Sequence, residues 1–273
     1  MSEPDVRREQ TADGVLVLTL NRPDTMNAIN GGINAALVKA ARDSKVDDSI
    51  RAIVITGNGR GFCSGADLSA GGPARGDFEG GGDGASARGR SSRVNKFGPG
   101  ELIAALADAD VPIIGAINGA AAGAGFGLSL TCDVRIASEN ARMGPIFIKR
   151  GVGPDYATSF WLPRIVGLAR AFDIMYRGDL MDAQTALSLG LVAKVVPHEN
   201  LMDEAMAYAS MVAKGPPLAY TYTRRALQRS LDNDLRRHLE YEWENQTELL
   251  ETRDAGEGFR AFLERREPSF EGQ

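Results

Sequence analysis

Two short glycine-rich segments hold the residues whose types and spacing best fit chemistry. They span residues 61–68 (GFCSGADL) and residues 118–127 (NGAAAGAGFG). Each follows an apolar run typical of a strand and precedes a stretch predicted to be helical. Such turns leave backbone N–H groups unpaired at the positive end of a helix, where they favour an oxygen that gains negative charge. Two turns that converge would form an oxyanion hole for an enolate, although either alone also fits a tight turn inside an α/β core.

Charge and composition exclude several function classes. The chain has 273 residues and a formal net charge of −5, without a block of Lys or Arg, so nucleic acid is not an expected partner. No apolar run approaches the ~20 residues needed to span a bilayer, and the acidic, polar start is unlike a targeting leader. Two cysteines form no disulfide framework. We therefore expect a cytoplasmic protein without a membrane partner.

Neither cysteine is predicted to react. Cys63 lies in the first glycine-rich segment, where it resembles a nucleophile, but neither His198 nor His238 falls in a motif that would supply its base. We therefore interpret Cys63 as structural. No cluster of His, Cys and Asp has the spacing of a metal site, so no metal is predicted.

The elements that position these segments alternate along the chain, which favours an α/β fold. Strands are predicted at residues 15–20, 53–56, 113–117, 133–137 and 191–196. Helices are predicted at residues 29–42, 101–108, 123–131, 158–166, 169–176, 182–189, 201–214, 216–231, 235–251 and 255–265. We expect a core over residues 1–200, with a flexible glycine-rich loop near residues 69–100, and a dependent helical region over residues 201–273.

Several motifs together resemble the enoyl-CoA hydratase/isomerase (crotonase) superfamily. Besides the two glycine-rich segments, the motifs in family order are residues 21–28 (NRPDTMNA), 132–133 (CD), 167–171 (GLARA) and 186–192 (ALSLGLV). The resemblance begins at about Val15 and is weakest between residues 69 and 100. It implies a ClpP-like spiral of repeated ββα units with a C-terminal helical trimerisation region, giving a homotrimer or a dimer of trimers. It also implies a coenzyme A thioester as substrate and no separate cofactor.

The resemblance carries site roles to particular positions. The backbone N–H groups of Ala66 and Ala124 would hold the thioester oxygen. The substrate-binding positions that it implies, including the pocket-wall candidates, are Met26, Ala28, Ser64, Asp67, Leu68, Gly123, Phe126, Phe147 and Tyr156. Asp67 would equally suit a helix cap. Arg22 is a candidate for the coenzyme A phosphates, or else a solvated surface residue.

Two carboxylates that hydratases of this family use are missing. The first belongs four residues after Gly123, where Gly127 stands, and the second belongs at the position of Phe147. Hydration needs a base for the water and an acid for the α-carbon. Ordinary hydration is therefore not expected of this sequence.

Asp155 supplies a different carboxylate. Residues 151–155 (GVGPD) are similar to the Gly-x-x-Pro-Asp segment of family isomerases, among them Δ3,Δ2-enoyl-CoA isomerases and 1,2-epoxyphenylacetyl-CoA isomerase. There the acidic residue is the sole proton shuttle. The resemblance implies that Asp155 moves a proton from the α- to the γ-carbon of an enoyl-CoA through a dienolate. A cap on the helix that follows is the alternative role.

Other functions stay open at this point. The same oxyanion hole would serve enoyl-CoA hydration, thioester hydrolysis or ring isomerisation of an aryl-CoA. A non-catalytic acyl-CoA binder also fits the missing glutamates, but Asp155 argues against it. A nucleotide-dependent oxidoreductase would need Gly-x-Gly-x-x-Gly in the first βα unit, and the glycines of residues 123–127 have the wrong spacing and come too late.

Overall fold

The computed structural model describes residues 3–67 and 100–273. Leu68 and nearly all of the loop predicted near residues 69–100 lie outside the described residues. The strands are β1 (Val6–Gln10), β2 (Val15–Leu20), β3 (Ala52–Gly57), β4 (Gly61–Cys63), β5 (Ile113–Ile117), β6 (Ala120–Ala122), β7 (Val134–Ser138), β8 (Arg142–Gly144), β9 (Met181–Asp182) and β10 (Lys194–Val196). The helices are α1 (Gly31–Asp43), α2 (Glu101–Ala107), α3 (Ala124–Thr131), α4 (Thr158–Val166), α5 (Leu168–Arg177), α6 (Ala183–Ser188), α7 (Leu201–Ala213), α8 (Pro217–Arg229), α9 (Leu235–Leu250) and α10 (Arg253–Glu264).

The strands form two sheets that the chain visits alternately. The larger sheet has the order β1-β2-β3-β5-β7-β10, and the smaller has the order β4-β6-β8-β9. Among the strands of the described residues, only the β1–β2 and β8–β9 pairs are antiparallel. Three successive strand pairs, β3–β4, β5–β6 and β7–β8, each place a first strand in the larger sheet and a second in the smaller. This repetition winds the chain into a spiral, in which equivalent turns stack beside one another.

The larger sheet is buried on both faces. Along β3, Ile53 and Ile55 belong to the main core, whereas Ala52 and Val54 belong to a second core. The main core also contains the apolar residues of α1, α2 and α3, and α7 lines the second. Strands with two covered faces carry continuous apolar runs instead of alternating ones, which explains the sequence pattern at residues 52–56.

The C-terminal helices attach to this core through a buried arginine. Arg224 of α8 is 6% exposed and pairs with both carboxylate oxygens of Asp133, at 2.8 and 3.0 Å. Its remaining N–H groups donate to the carbonyl oxygens of Leu106, Ala107 and Ala109, at the C-terminal end of α2. A guanidinium that uses all three of its nitrogens in this way holds α8 in a fixed place.

The predicted α/β class is confirmed, and most element bounds agree within a few residues. The short strands β4, β6 and β8 were not predicted, because three residues are too few to give an alternating pattern. Strand β1 was also missed, since four of its five residues are exposed and polar. Among the residues that the structure describes, none of the helices is long and apolar enough to cross a membrane.

Candidate active site

The two glycine-rich segments lie side by side. Strand β4 pairs in parallel with β6, with Gly61 opposite Ala120 and Cys63 opposite Ala121. Beyond this pairing, Gly65 has a φ of +111°, and a Cβ built there would lie 3.0 Å from the Ala122 carbonyl oxygen and 3.6 Å from the Ala124 nitrogen. Only glycine combines this φ with so close an approach. The structure therefore brings the two turns together.

The two amides predicted to form the oxyanion hole have defined surroundings. The Ile29 N–H donates to the Gly65 carbonyl at 2.8 Å, and the Asp67 N–H donates to the Ile29 carbonyl at 2.9 Å. In this parallel bridge, the N–H of Ala66 points away from Ile29. Ala124 is the first residue of α3, so its N–H has no acceptor within the helix.

Two buried asparagines fix the entrance to the first turn. The Asn27 side chain donates to the carbonyls of Asn58 and Gly61, at 3.0 and 2.8 Å. Asn118 donates to the carbonyls of Gly59 and Gly61, at 2.8 and 3.2 Å. Sequence reasoning assigned neither residue a role, although both lie in the motifs that carry the family resemblance. Their contacts hold the start of the first segment against the start of the second.

Gly127, where hydratases of this family have a glutamate, is covered by the segment that follows Asp155. A Cβ at Gly127 would lie 2.5 Å from the Tyr156 carbonyl oxygen, 2.7 Å from the Tyr156 Cβ and 2.8 Å from the Thr158 hydroxyl oxygen. Because Gly127 is one turn along α3 from Ala124, this contact places Asp155 near the N-terminal half of α3. The missing side chain at position 127 is what lets this segment approach so closely.

Phe147 stands at the position of the second missing glutamate. Its side chain is buried, and its ring carbon Cε1 would be 3.7 Å from a Cβ built on Gly123. An apolar ring therefore lies beside the start of α3. Phe126, which was predicted to line the pocket with it, is fully buried in the main core, and Tyr156 is 2% exposed there.

Asp155 does not cap the helix that follows it. Helix α4 begins at Thr158 after Ala157, and no side chain caps its N-terminus; only the backbone carbonyl of Asp155 accepts from the Thr158 N–H. Tyr156 and Ala157 both have positive φ, +47° and +53°, which is strained for non-glycine residues. The backbone is thus held in an unusual path directly after the carboxylate.

The acidity of Asp155 is altered by its surroundings. Partial burial of the carboxyl raises the pKa of Asp155 from about 4 to about 6. The residue as a whole is exposed, so water still reaches it. A carboxyl with this pKa exchanges its proton near neutral pH, as an acid–base group must.

The nearby thiol has the opposite character. Burial raises the pKa of Cys63 to about 12, so the thiol stays protonated at neutral pH. This agrees with the structural role predicted for Cys63. Within the described ranges, no group of three or more His, Cys, Asp or Glu side chains could hold a metal ion.

The remaining predicted substrate residues surround the first turn. Met26 lies against Gly61, the Ser64 N–H donates to the Met26 carbonyl at 2.9 Å, and Ala28 is 7% exposed. Leu68 lies outside the described residues. Arg22 is not the solvated surface residue that was one of its two expected roles, since its side chain is only 20% exposed and pairs with the Asp67 carboxylate at 2.8 Å.

Comparison with known proteins agrees with this architecture. The family model described as enoyl-CoA hydratase/isomerase matches residues 10–273. The 2,3-dehydroadipyl-CoA hydratase of Escherichia coli strain K12 is 37% identical over all of both chains. The 1,2-epoxyphenylacetyl-CoA isomerase of the same organism is 35% identical, covering 95% of this chain and 96% of that one.

Solved structures give the same result. The crystal structure of a putative enoyl-CoA hydratase/isomerase from Mycobacterium abscessus superposes with a TM-score of 0.86 at 34% identity, covering 98% of this chain and all of that one. The extent of both matches, together with the paired glycine-rich turns, shows that this chain is an acyl-CoA enzyme of the enoyl-CoA hydratase/isomerase (crotonase) family.

Proposed function

We propose that this protein is an enoyl-CoA isomerase with Asp155 as its single proton shuttle. The observation that carries the proposal is the packing at Gly127. This residue has no side chain, and the space beside it is filled by the segment that carries Asp155. The same segment has no capping role that would occupy the carboxylate. One carboxylate is sufficient for isomerisation, because one proton moves between two carbons.

In the proposed reaction, the Asp155 carboxylate removes a proton from the α-carbon of a 3-enoyl-CoA. The C–H electron pair delocalises through the β,γ double bond and the thioester carbonyl, giving a dienolate. Asp155 then returns the proton to the γ-carbon, which leaves a 2-enoyl-CoA. The raised pKa of Asp155 suits both halves of this transfer near neutral pH.

The backbone N–H groups of Ala66 and Ala124 would stabilise the negative charge on the thioester oxygen. Both come from turns held by close backbone contacts and buried hydrogen bonds, so they need little rearrangement as charge develops. Preorganised donors of this kind contribute on the order of 10²–10³ in rate for each donor. No separate cofactor is needed for such a proton transfer, and we propose none.

Hydration is the second candidate, because the names of relatives divide. Most of the similar relatives are named hydratases, including those at 36% and 37% identity, whereas one at 35% is named an isomerase, so the names of the relatives do not favour isomerisation over hydration. Phe147 argues against hydration, since its buried ring replaces a carboxylate and would keep water from the reacting carbons. Ring isomerisation of an aryl-CoA is a further alternative, because one relative is named 1,2-epoxyphenylacetyl-CoA isomerase.

We also propose that the chain forms a homotrimer or a dimer of trimers, as the family resemblance implies. Helix α9 has no buried residue within the single chain. Leu235, Leu239 and Trp243 are spaced four residues apart along it and are 74%, 53% and 67% exposed. An apolar stripe of this size supports a second copy of the chain as its cover. Light scattering of the purified protein tests the assembly.

The deciding experiment measures conversion of a 3-enoyl-CoA to the 2-enoyl-CoA by the wild type and by Asp155→Asn. Crotonyl-CoA hydration is followed in parallel with both proteins. We expect wild-type isomerisation, a loss of about 10²–10⁴-fold in Asp155→Asn, and negligible hydration. Asp173→Asn, an exposed aspartate on α5, is the matched control and should keep wild-type activity.

The opposite pattern would reject the proposal. Wild-type hydration that exceeds isomerisation would assign the second candidate instead. Isomerisation that survives in Asp155→Asn would show that another group carries the proton. Binding of acyl-CoA without any turnover would favour a binding protein.

A further inference from the structure

The Arg22 side chain lies between the two segments that form the first turn. Its Nη1 donates to the Ala28 carbonyl oxygen at 2.6 Å, and its Nη2 contacts the Asp67 carboxylate at 2.8 Å. We propose that Arg22 is a positioning residue, which aims the Ala66 N–H and neutralises Asp67 beside the proposed oxyanion hole. This inference rests on the proposed function, because it concerns the same hole.

The contacts of Arg22 span the bridge that orients Ala66. Ile29 bonds to both neighbours of Ala66, through the Gly65 carbonyl and the Asp67 N–H. Arg22 contacts Ala28, which precedes Ile29, and Asp67, which follows Ala66. One guanidinium therefore fixes both sides of that bridge. The planar fork of arginine sets the direction of both contacts, which a lysine ammonium does not.

The segment that Arg22 holds is strained and needs such a tether. Met26 and Asn27 are consecutive non-glycine residues with φ of +52° and +58°. Conformations of this kind persist only where surrounding contacts enforce them. The Arg22 backbone also takes part, because its N–H donates to the Asn27 side-chain oxygen and its carbonyl accepts from the Asn27 N–H, both at 2.8 Å.

Charge gives Arg22 a second effect on the hole. Asp67 directly follows Ala66, and its side chain is only 8% exposed. The negative charge of a buried carboxylate at this place opposes negative charge on the thioester oxygen. The Arg22 guanidinium offsets that charge, and its Nε lies 3.7 Å from a second carboxylate, that of Asp5.

A purely structural role for Arg22 predicts a different outcome. Loss of packing alone would lower the melting temperature and weaken every coenzyme A ligand alike. A positioning role instead weakens ligands that place negative charge in the hole, and spares ligands that lack the thioester carbonyl. The two roles are separated by comparing a matched pair of ligands.

The experiment measures, by calorimetry, the affinities for acetoacetyl-CoA and for S-(3-oxobutyl)-CoA, in which a methylene replaces the thioester carbonyl. The proteins are the wild type, Arg22→Met, Arg22→Lys and the double variant Arg22→Met/Asp67→Asn. Arg224→Met is the control, because it removes a buried ion pair at the opposite end of α3. We expect it to lower thermal stability without altering the ratio of the two affinities.

In Arg22→Met, we expect acetoacetyl-CoA to lose about tenfold or more in affinity while the thioether is unchanged. The double variant should recover part of this loss, since it also removes the negative charge of Asp67. Arg22→Lys should lie between the wild type and Arg22→Met, and it carries the test if Arg22→Met does not fold. An equal loss for both ligands, or no loss, would overturn the proposal.

This readout separates the inference from the isomerase proposal. The wild type could lack isomerase activity while its preference for acetoacetyl-CoA over the thioether is still lost in Arg22→Met. That result would contradict the proposed reaction and support this inference. A wild type that binds both ligands equally has no functional hole, and it would overturn the inference as well.

Discussion

The region of the proposed oxyanion hole and the Asp155 segment are built in opposite ways. The first consists of two turns whose backbones pack against each other and whose carbonyls are pinned by buried Asn27 and Asn118. The second is an exposed segment, residues 151–155, that ends in two strained residues. Its first residues bond to the turn that carries Phe147, and Tyr156, the residue after the segment, packs on Gly127.

This difference fits what each region would have to do in the proposed reaction. Donors that stabilise an oxyanion have to keep their direction, so they are placed in the most constrained part of the fold. A proton shuttle must reach two carbons and needs an altered pKa instead of a fixed direction. The chemistry of such a fold can therefore change while both turns are kept: this chain lacks the glutamates at Gly127 and Phe147 and carries Asp155 in the segment that covers α3.

The largest effect is expected from adding one methyl group to each region. At Gly125, a Cβ would overlap the Cys63 carbonyl and push the two turns apart, so Gly125→Ala should cost about 3 kcal/mol or more of stability and most of the activity. At Gly153, nothing lies within 4 Å, and Gly153→Ala should stay within about 0.5 kcal/mol of the wild type. Chemical denaturation of both variants measures the contrast, and equal costs would contradict it.

A glutamate at position 127 should not restore hydration. Its Cβ alone would lie 2.5 Å from the Tyr156 carbonyl, so Gly127→Glu displaces the segment that carries Asp155. We expect isomerisation to fall by about tenfold or more without a gain of crotonyl-CoA hydration. Gly127→Ala separates the effect of bulk from that of charge and should show much of the same loss. Efficient hydration by Gly127→Glu would refute this account of the site.

The pH dependence should reveal Asp155 as the base. Its carboxylate is the active form, so kcat/KM should fall about tenfold per pH unit below its pKa of about 6 and level off above it. The fall of kcat/KM at low pH depends on the Asp155 segment and not on the proposed oxyanion hole, so it should occur at the same pH in Arg22→Lys. Initial rates over pH 4.5–8 measure it, and a profile that is flat through pH 6 would exclude Asp155 as the base.

The smallest effect concerns stability. Burial raises the pKa of Asp155, so between about pH 4 and pH 6 the folded state binds more protons than the unfolded state. Stability therefore falls as pH rises through this window. The melting temperature of Asp155→Asn should be higher than that of the wild type at pH 7 but not at pH 4. The difference should be small because the residue is exposed. A gain of the same size at both pH values would point to another cause.

Much of the fold could be predicted because its signals are local. The apolar run at residues 52–56 and the helical periodicity of residues 201–213 are properties of consecutive residues, and both elements appear as expected. The motifs of the two glycine-rich segments likewise specified the family. Strands β1, β4, β6 and β8 escaped prediction, because they are defined by their pairing partners and not by their own residues.

The sequence by itself determined that two small-residue turns exist, that the usual glutamates are missing and that one aspartate follows a Gly-x-x-Pro segment. Only the tertiary structure decided what these residues contact. It paired Arg22 with Asp67, 45 positions apart, where sequence reasoning expected a phosphate ligand or a solvated side chain. It also placed Tyr156 on Gly127. Both depend on how distant segments are brought together by the spiral, and no local pattern encodes that distance.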